Sequence, residues 1–192
     1  MQSPVPRVPA QTTPLRAAVE GVLTEELASV VAGARRRALR DGDRQIDTAH
    51  LLHSLMESDP EVRAAVGDAS RIARVLGYLV QRSIGYGLRW QSSVEDSGAV
   101  PVLREGRSAA GSPARPGVDS GSGWSPSAVA AMEGAFARAG LRGDARVRGT
   151  DVLACIAVDP RCRAVEVLRR AGVDTNLLAE RISGGSRHVS PG

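Results

Sequence analysis

The sequence predicts an all-α protein made of two four-helix repeats. Apolar residues recur at three- and four-residue steps in several segments, a spacing typical of helices with one buried face. The segment from Thr24 to Gly42 matches the segment from Ser125 to Gly143 at a constant offset of 101 residues, which indicates an internal repeat. Runs of β-branched residues are short and do not alternate with polar ones, so no strand is predicted.

The first repeat is predicted within residues 14–90, where a short leading helix precedes four others. Thr13 followed by Pro14 favours the start of the leading helix. Thr24 can cap a longer helix, which Gly42 ends. The apolar stripe of that longer helix contains Leu27, Val30, Val31, Ala34 and Ala38.

Three shorter helices complete the first repeat. The second helix is predicted from Thr48 to Glu57, and "DP" at 59 and 60 ends it because a residue before proline resists helical geometry. A third short helix covers "EVRAAV", and the fourth begins at Asp68 or Ser70. The predicted buried side of the fourth helix contains Ile72, Val75, Leu76, Leu79 and Val80.

The second repeat is predicted at residues 124–183. Ser125 can cap its first helix, and Pro126 occupies the first helical position. Asp174 is expected to cap the last helix, whose apolar residues are Leu177, Leu178 and Ile182. The offset of 101 also aligns Ile46, Leu52 and Leu55 with Val147, Leu153 and Ile156.

Three segments fall outside the repeats. Residues 1–13 and 184–192 read as flexible tails, and 16 of the 33 residues from 91 to 123 are Ser, Gly or Pro, which predicts a flexible linker. The patch "AVPVLREG" in that linker could instead dock on the folded part as an extended peptide. Because the N-terminus is polar and rich in proline and no long apolar run occurs, we expect neither a signal peptide nor a membrane span, and a cytoplasmic protein.

The composition excludes several kinds of chemistry. All 25 basic residues are arginine, so a P-loop lysine and Schiff-base catalysis are excluded. Cys155 and Cys162 are expected to be buried free thiols, and His50, His53 and His188 do not form a recognisable metal site. No motif organises a catalytic serine, so we expect no enzymatic activity and no cofactor.

Basic charge leaves nucleic acid as an alternative partner. The net charge is +4, the isoelectric point is near 10, and "RRRALR" at 35–40 is the densest basic cluster. On a helix these arginines spread around much of the circumference, and five aromatic residues offer little surface for stacking bases. A solvated helix face is therefore favoured over nucleic-acid binding.

Two stretches carry a resemblance to a known family. "LTEELASVVAGARRRALRDGDRQIDTAHLLHSL" resembles the Clp N-terminal repeat, and "WSPSAVAAMEGAFARAG" resembles the start of the second repeat in that family. The resemblance implies that the two repeats pack about a pseudo-twofold axis into one domain. In the family this domain sits on a AAA+ unfoldase and captures substrates or adaptors, whereas the present residues contain no Walker A motif.

The resemblance also implies where a ligand would bind. Family members that recognise phosphoarginine place a glutamate where this chain has Ala49 and Thr150, so phosphoarginine recognition is not expected here. A groove between the first helices of the two repeats accepts peptides in the family, including cyclic peptide antibiotics. The candidate groove residues in this chain are Trp124, Ser125, Val129, Glu133, Val31, Leu23 and Thr24.

These features predict a stand-alone, non-catalytic domain that binds peptides or degrons. It would act as an adaptor, decoy or regulator of Clp proteolysis, with a Clp AAA+ unfoldase or its substrates as partners. Sequestration of Clp-directed cyclic peptide antibiotics is a sharper form of the same hypothesis. The alternative from a different class is a DNA-binding regulator that uses the arginine-rich helical face.

Overall fold

Eight α-helices make up most of the computed structural model, which describes residues 23–43, 45–84, 95 and 123–185. Within these ranges no β-strand occurs, and the predicted all-α class is confirmed. The first four helices are α1 (Glu25–Asp41), α2 (Thr48–Ser58), α3 (Pro60–Val66) and α4 (Ala69–Ser83). The last four are α5 (Pro126–Leu141), α6 (Gly149–Val158), α7 (Arg163–Arg170) and α8 (Thr175–Gly185).

The first helix of each unit begins and ends as the sequence predicts. The Thr24 hydroxyl accepts a hydrogen bond from the Leu27 N–H at 3.2 Å, and the Ser125 hydroxyl accepts one from the Ala128 N–H at the same distance. After these helices, Gly42 and Gly143 have φ angles of 74° and 72°. Glycine adopts this left-handed conformation without the steric penalty that a Cβ brings, which explains the sharp stop at both positions.

Four of the later helices, α2, α3, α4 and α8, begin at aspartate caps. The α2 cap is Asp47, one residue before the predicted start, and its carboxylate accepts a hydrogen bond from the His50 N–H at 2.9 Å. Asp59 ends α2 and caps α3, since its carboxylate accepts from the Glu61 and Val62 N–H groups. Asp68, one of the two predicted starts, caps α4, and Asp174 accepts from two amides at the start of α8 as predicted.

One hydrophobic core joins the two units. Helix α2 is buried from Thr48 to Met56, where it packs against α1 and also touches α5, α6 and α7 of the second unit. Helix α6 packs against α5 and α8 and against α3 of the first unit. The largest side chains of this core are Leu27, Leu51, Leu52, Leu55, Met56, Leu79, Leu153, Ile156, Leu168 and Leu178. Since neither unit could cover α2 and α6 alone, the fold needs both copies.

Two isolated backbone bridges connect the units in a reciprocal way. Leu23 pairs with Val147, and Ile46 pairs with Trp124. The offset of 101 converts each bridge into the other, as a twofold relation between the units would require. The pseudo-twofold arrangement itself stays a prediction, which these two bridges support.

One residue that was predicted to be buried is instead exposed, and so is one apolar residue of the last helix. Val80 is 48% exposed because it lies at the edge of the α4 stripe, far round the helix from the buried Val75 and Leu79. Leu177 is 55% exposed because it lies about 100° around α8 from the buried Leu178. The prediction for Val80 is therefore wrong, because periodicity alone made the α4 stripe too wide.

Several predictions concern residues outside the described ranges. These are the leading helix at Thr13 and Pro14, the tail at 1–13, nearly all of the linker at 91–123 and the end of the C-terminal tail at 184–192. Helix α8 continues to Gly185, slightly beyond the predicted end of the second repeat. Among the helices that the structure describes, none combines the length and the apolarity needed to cross a bilayer.

Candidate functional site

The predicted peptide groove lies at the starts of α1 and α5. Leu23 and Trp124 are half-buried there and pack against the core, while Thr24 is half-buried and caps α1. Ser125 is buried, and its hydroxyl is engaged by the Ala128 N–H and by a carboxylate of the chain itself. The side chains of Leu23 and Trp124 thus keep apolar surface near solvent at this entrance.

The other predicted groove residues lie further along the same helices. Val31 on α1 and Val129 on α5 are half-buried, and Val31 packs against the core. Glu133 is one turn after Val129 and is exposed, so its carboxylate can be reached from solvent. The groove formed by these residues stays a prediction.

A cleft that the sequence did not predict lies between α5 and α6. It has a volume of about 300 Å³, and most of its lining is apolar. Thr48 of the first unit reaches its wall. The second unit supplies the rest of the lining, Ser127, Ala130, Ala131 and Gly134 from α5 together with Cys155, Ile156, Val158, Asp159 and Cys162. The α5 residues of the cleft face away from Val129 and Glu133, so the cleft and the predicted groove are different surfaces.

Small residues explain why α5 lies so close to α6. A Cβ placed on Gly134 would lie 2.8 Å from the Cys155 sulfur, and one placed on Gly33 would lie 3.0 Å from the Ser54 hydroxyl oxygen. The offset of 101 relates these two contacts, so both repeats use glycine where the first helix meets the second. The α5 residues that line the cleft follow an i, i+3, i+4, i+7 spacing. This spacing is the sequence pattern from which the cleft-facing side of α5 could have been predicted.

The two thiols at this cleft are protonated at neutral pH. Burial raises the pKa of Cys155 and raises the pKa of Cys162 to about 12. Cys162 is buried as predicted, whereas Cys155 is half-buried, so the prediction of two buried thiols holds for one. Since the thiolate is the nucleophile, these values favour a packing role for both side chains.

A buried ion cluster holds α2 against α4 and α7. The Asp47 carboxylate accepts hydrogen bonds from the guanidinium groups of Arg82 and of Arg163, the latter at 2.7 Å. Burial alone would raise the pKa of Asp47, but hydrogen bonding from His50 and the charge of Arg82 together hold that pKa well below its ordinary value. Asp47 therefore stays ionised and links the two units through Arg163.

The same cluster contains three potential metal ligands. One atom from each of Asp43, Asp47 and His50 lies within 4.8 Å of the others. However, Arg82 donates to both Asp43 and Asp47, and the His50 Nδ1 accepts from the Asp47 N–H at 3.1 Å. Because a guanidinium already supplies the positive charge, the arrangement fits an ion-pair cluster better than a cation site.

The equivalent region of the second unit also uses its acidic residue internally. Asp151 is buried and accepts hydrogen bonds from the Arg142 guanidinium, including one at 2.7 Å, and from the Arg148 N–H at 3.1 Å. Ala49 is buried and Thr150 is half-buried at the positions where phosphoarginine-binding relatives are expected to have glutamate. Asp151 is therefore buried and already paired with an arginine of its own chain, not exposed to a ligand guanidinium.

No sequence pattern pointed to Glu95, which the structure places between the two units. It falls in the predicted linker, yet its side chain is 2% exposed and its carboxylate accepts hydrogen bonds from Thr48, Ser125 and Arg163. A lone glutamate in a serine- and glycine-rich stretch has no local sequence signal for burial. Its burial depends on partners that are remote in sequence.

Comparison with solved structures identifies the fold. The N-terminal domain of the Caseinolytic protease associated chaperone ClpD from Arabidopsis thaliana aligns with a TM-score of 0.54 and 16% identity, over 88% of this chain and 96% of that chain. A chain from structural investigations of a malarial protein secretion system aligns with a TM-score of 0.57 and 13% identity, over 87% and 96%. No family model and no curated protein matches the sequence. The chain has the fold of a Clp N-terminal domain, as the resemblance predicted.

Proposed function

We propose that this chain is a non-catalytic domain that binds peptides or degrons and acts as an adaptor, decoy or regulator of Clp proteolysis. The observation that carries the proposal is the fold, which is that of a Clp N-terminal domain over nearly the whole length of the ClpD domain. The partners on this proposal are peptide segments, with a Clp AAA+ unfoldase or its substrates as their source.

Two surfaces could accept a peptide side chain. The first is the predicted groove, where Trp124 offers an aromatic face and Glu133 an exposed carboxylate. Tryptophan is among the residues most enriched at binding hot spots. The second is the cleft between α5 and α6, whose volume of about 300 Å³ lies at the lower limit of ligand pockets. An apolar peptide side chain matches its lining.

The ionisable groups favour binding over catalysis. Asp47 and Asp151 are engaged by arginines, and the pKa values of Cys155 and Cys162 are raised, so these four side chains are poor nucleophiles or general bases at neutral pH. A peptide-binding role requires only surface that is open to a ligand.

Sequestration of cyclic peptide antibiotics is the sharper form of this proposal. A domain of this fold could retain such peptides and keep them from the unfoldase. The chain has no lysine, and therefore no P-loop lysine, anywhere in its 192 residues. Trp124 and Glu133 would supply the apolar and charged contacts in the groove.

Calorimetry with a Clp-directed cyclic peptide and with a linear peptide library tests the proposal. Trp124→Ala should abolish binding in the groove, and Ala130→Leu should block binding in the cleft. Ala130 is exposed, so a larger side chain there should leave stability nearly unchanged. Ser29→Leu is the matched control, because Ser29 is the exposed residue at the same position of the first repeat. No binding heat from wild-type protein with any peptide would refute the proposal.

No observation favours the DNA-binding alternative. In the cluster at 35–40, Arg37 is half-buried and pairs with Glu57, and Arg40 contacts Asp41 at 3.3 Å. Half of the cluster's arginines thus face acidic side chains of the same chain.

A further inference from the structure

The Glu95 side chain is held like a bound ligand. Its Oε1 accepts hydrogen bonds from the Thr48 N–H at 2.7 Å and from the Ser125 hydroxyl at 2.9 Å. Its Oε2 accepts from the Arg163 N–H at 2.8 Å and from the Thr48 hydroxyl at 3.1 Å. Both oxygens therefore have two donors each. Thr48, Ser125 and Arg163 are called the cradle below.

The hydroxyl groups of the cradle are oriented toward a negative charge. The Thr48 hydroxyl oxygen accepts from the Ala164 N–H at 3.1 Å, and the Ser125 hydroxyl oxygen accepts from the Ala128 N–H at 3.2 Å. Each hydroxyl has a single proton, and a carboxylate without a proton can only accept, so the hydroxyl must be the donor in each contact with Glu95. That proton is left for the carboxylate, so the cradle presents four donors to one anion.

Backbone N–H groups of the cradle also favour a negatively charged ligand. Thr48 and Arg163 are the first residues of α2 and α7, where N–H groups lack partners inside the helix and the helix dipole is positive. The residue before α7, Cys162, provides no side-chain cap. The Glu95 carboxylate takes that role for α7, so it satisfies a donor that the local sequence leaves open.

The acidic residue that precedes Thr48 is already paired with arginines. Asp47 precedes Thr48, but its own charge is balanced by the guanidinium groups of Arg82 and Arg163. Thr48 and Ser125 are each 1% exposed. Without Glu95, four donors would lose their partner in a buried position, which is strongly unfavourable unless another acceptor enters.

We propose that the cradle is a carboxylate-binding site shared by the two units, that Glu95 is its built-in occupant, and that the emptied cradle binds a free carboxylate. The ligand class is a formate-sized carboxylate or the carboxylate of a peptide. Thr48 also lines the cleft between α5 and α6, so a peptide in that cleft would lie next to the cradle. The cradle shares Ser125 with the predicted groove, but it does not depend on peptide binding there.

Unfolding of the full chain with Glu95→Ala in sodium formate tests the proposal. At a formate concentration ten times its dissociation constant, the folding equilibrium constant should rise about elevenfold, because formate binds only the folded state. Sodium chloride at equal ionic strength should not reproduce the effect. Wild-type protein and Glu95→Gln should not respond, since the cradle is filled in both. Equal responses of Glu95→Ala to formate and chloride would overturn the proposal.

Two further variants keep the test decisive. Thr48→Val in the Glu95→Ala background removes the hydroxyl that donates to the carboxylate and accepts from the Ala164 N–H. This double variant should show no formate response. Glu180→Ala removes an exposed glutamate on α8 and should show no formate response. If Glu95→Ala is unfolded in buffer, formate should restore its helical circular dichroism; failure to do so with every tested carboxylate also overturns the proposal.

The source of the carboxylate is distinguished by a second titration. An N-acetylated dipeptide with a free C-terminus is compared with its C-terminal amide on Glu95→Ala. Stabilisation by the acid but not by the amide identifies peptide carboxylates as ligands. Stabilisation by formate alone also supports the carboxylate site. In that case the cradle is too enclosed for a peptide, and Glu95 is the only part of a polypeptide that fits it.

Discussion

Acidification from pH 7 to pH 4.5 should destabilise the fold through His53. The His53 side chain is 7% exposed, and its pKa is lowered to about 4 from an ordinary value of 6.5. Burial is the main cause, and the positive charge of Arg37, 3.4 Å away, adds to it. Glu57 and Asp41 act in the opposite direction, and Arg40 lowers the pKa further.

The sign of the effect follows from where the proton binds first. Between pH 6.5 and pH 4 the unfolded chain protonates His53 while the folded chain does not, so stability is full above this window and decreases as the pH falls through it. The complete pKa difference corresponds to roughly 3 kcal/mol. By pH 4.5 most of this, about 2–3 kcal/mol, should be lost.

Urea unfolding of wild-type protein and of His53→Gln between pH 4.5 and pH 8 measures the effect. Other groups also titrate in this range, and comparison with the variant removes their contribution. The stability difference between wild type and variant should change by about 2–3 kcal/mol over the window, in favour of the variant at low pH. Parallel curves over the whole range would show that His53 does not titrate as its surroundings imply.

Three further predictions concern packing. Gly149→Ala should destabilise the protein by roughly 1–3 kcal/mol in urea unfolding, because its Cβ would collide with the Asp59 carboxylate, and an unchanged midpoint would contradict this. Leu55→Ala should cost about 2–5 kcal/mol, whereas Leu141→Ala, 90% exposed, should change stability by less than about 0.5 kcal/mol. Cys162, with its pKa near 12, should resist alkylation at pH 8 until the protein is denatured, as peptide mass spectrometry would reveal.

Helix boundaries could be predicted because their signals are local. Thr24 and Ser125 cap their helices through amides three residues away. Gly42 and Gly143 end the same helices through their own backbone conformation. Such interactions involve one turn of chain, so a single sequence contains both partners. The fold class followed from these signals and from the apolar spacing, and the repeat indicated that the helices come in two sets of four.

The edges of the apolar stripes were less predictable. Val80 and Leu177 fit the helical spacing, yet both are exposed. Which part of a stripe is covered depends on the helix that packs against it, and spacing along one helix contains no information on its neighbour. The cleft between α5 and α6 could not be predicted for the same reason, because it depends on how closely the two helices approach each other.

What the sequence by itself determined is the all-α class, the eight helices of the described ranges and the repeat that relates them. Only the tertiary structure decided that Glu95 is buried, that Asp47 is paired across the two units and that a cleft lies beside Thr48. The physical reason is sequence distance: the partners of Glu95 are 30, 47 and 68 residues away from it. A charge becomes buried only where the folded chain brings enough donors together to replace water.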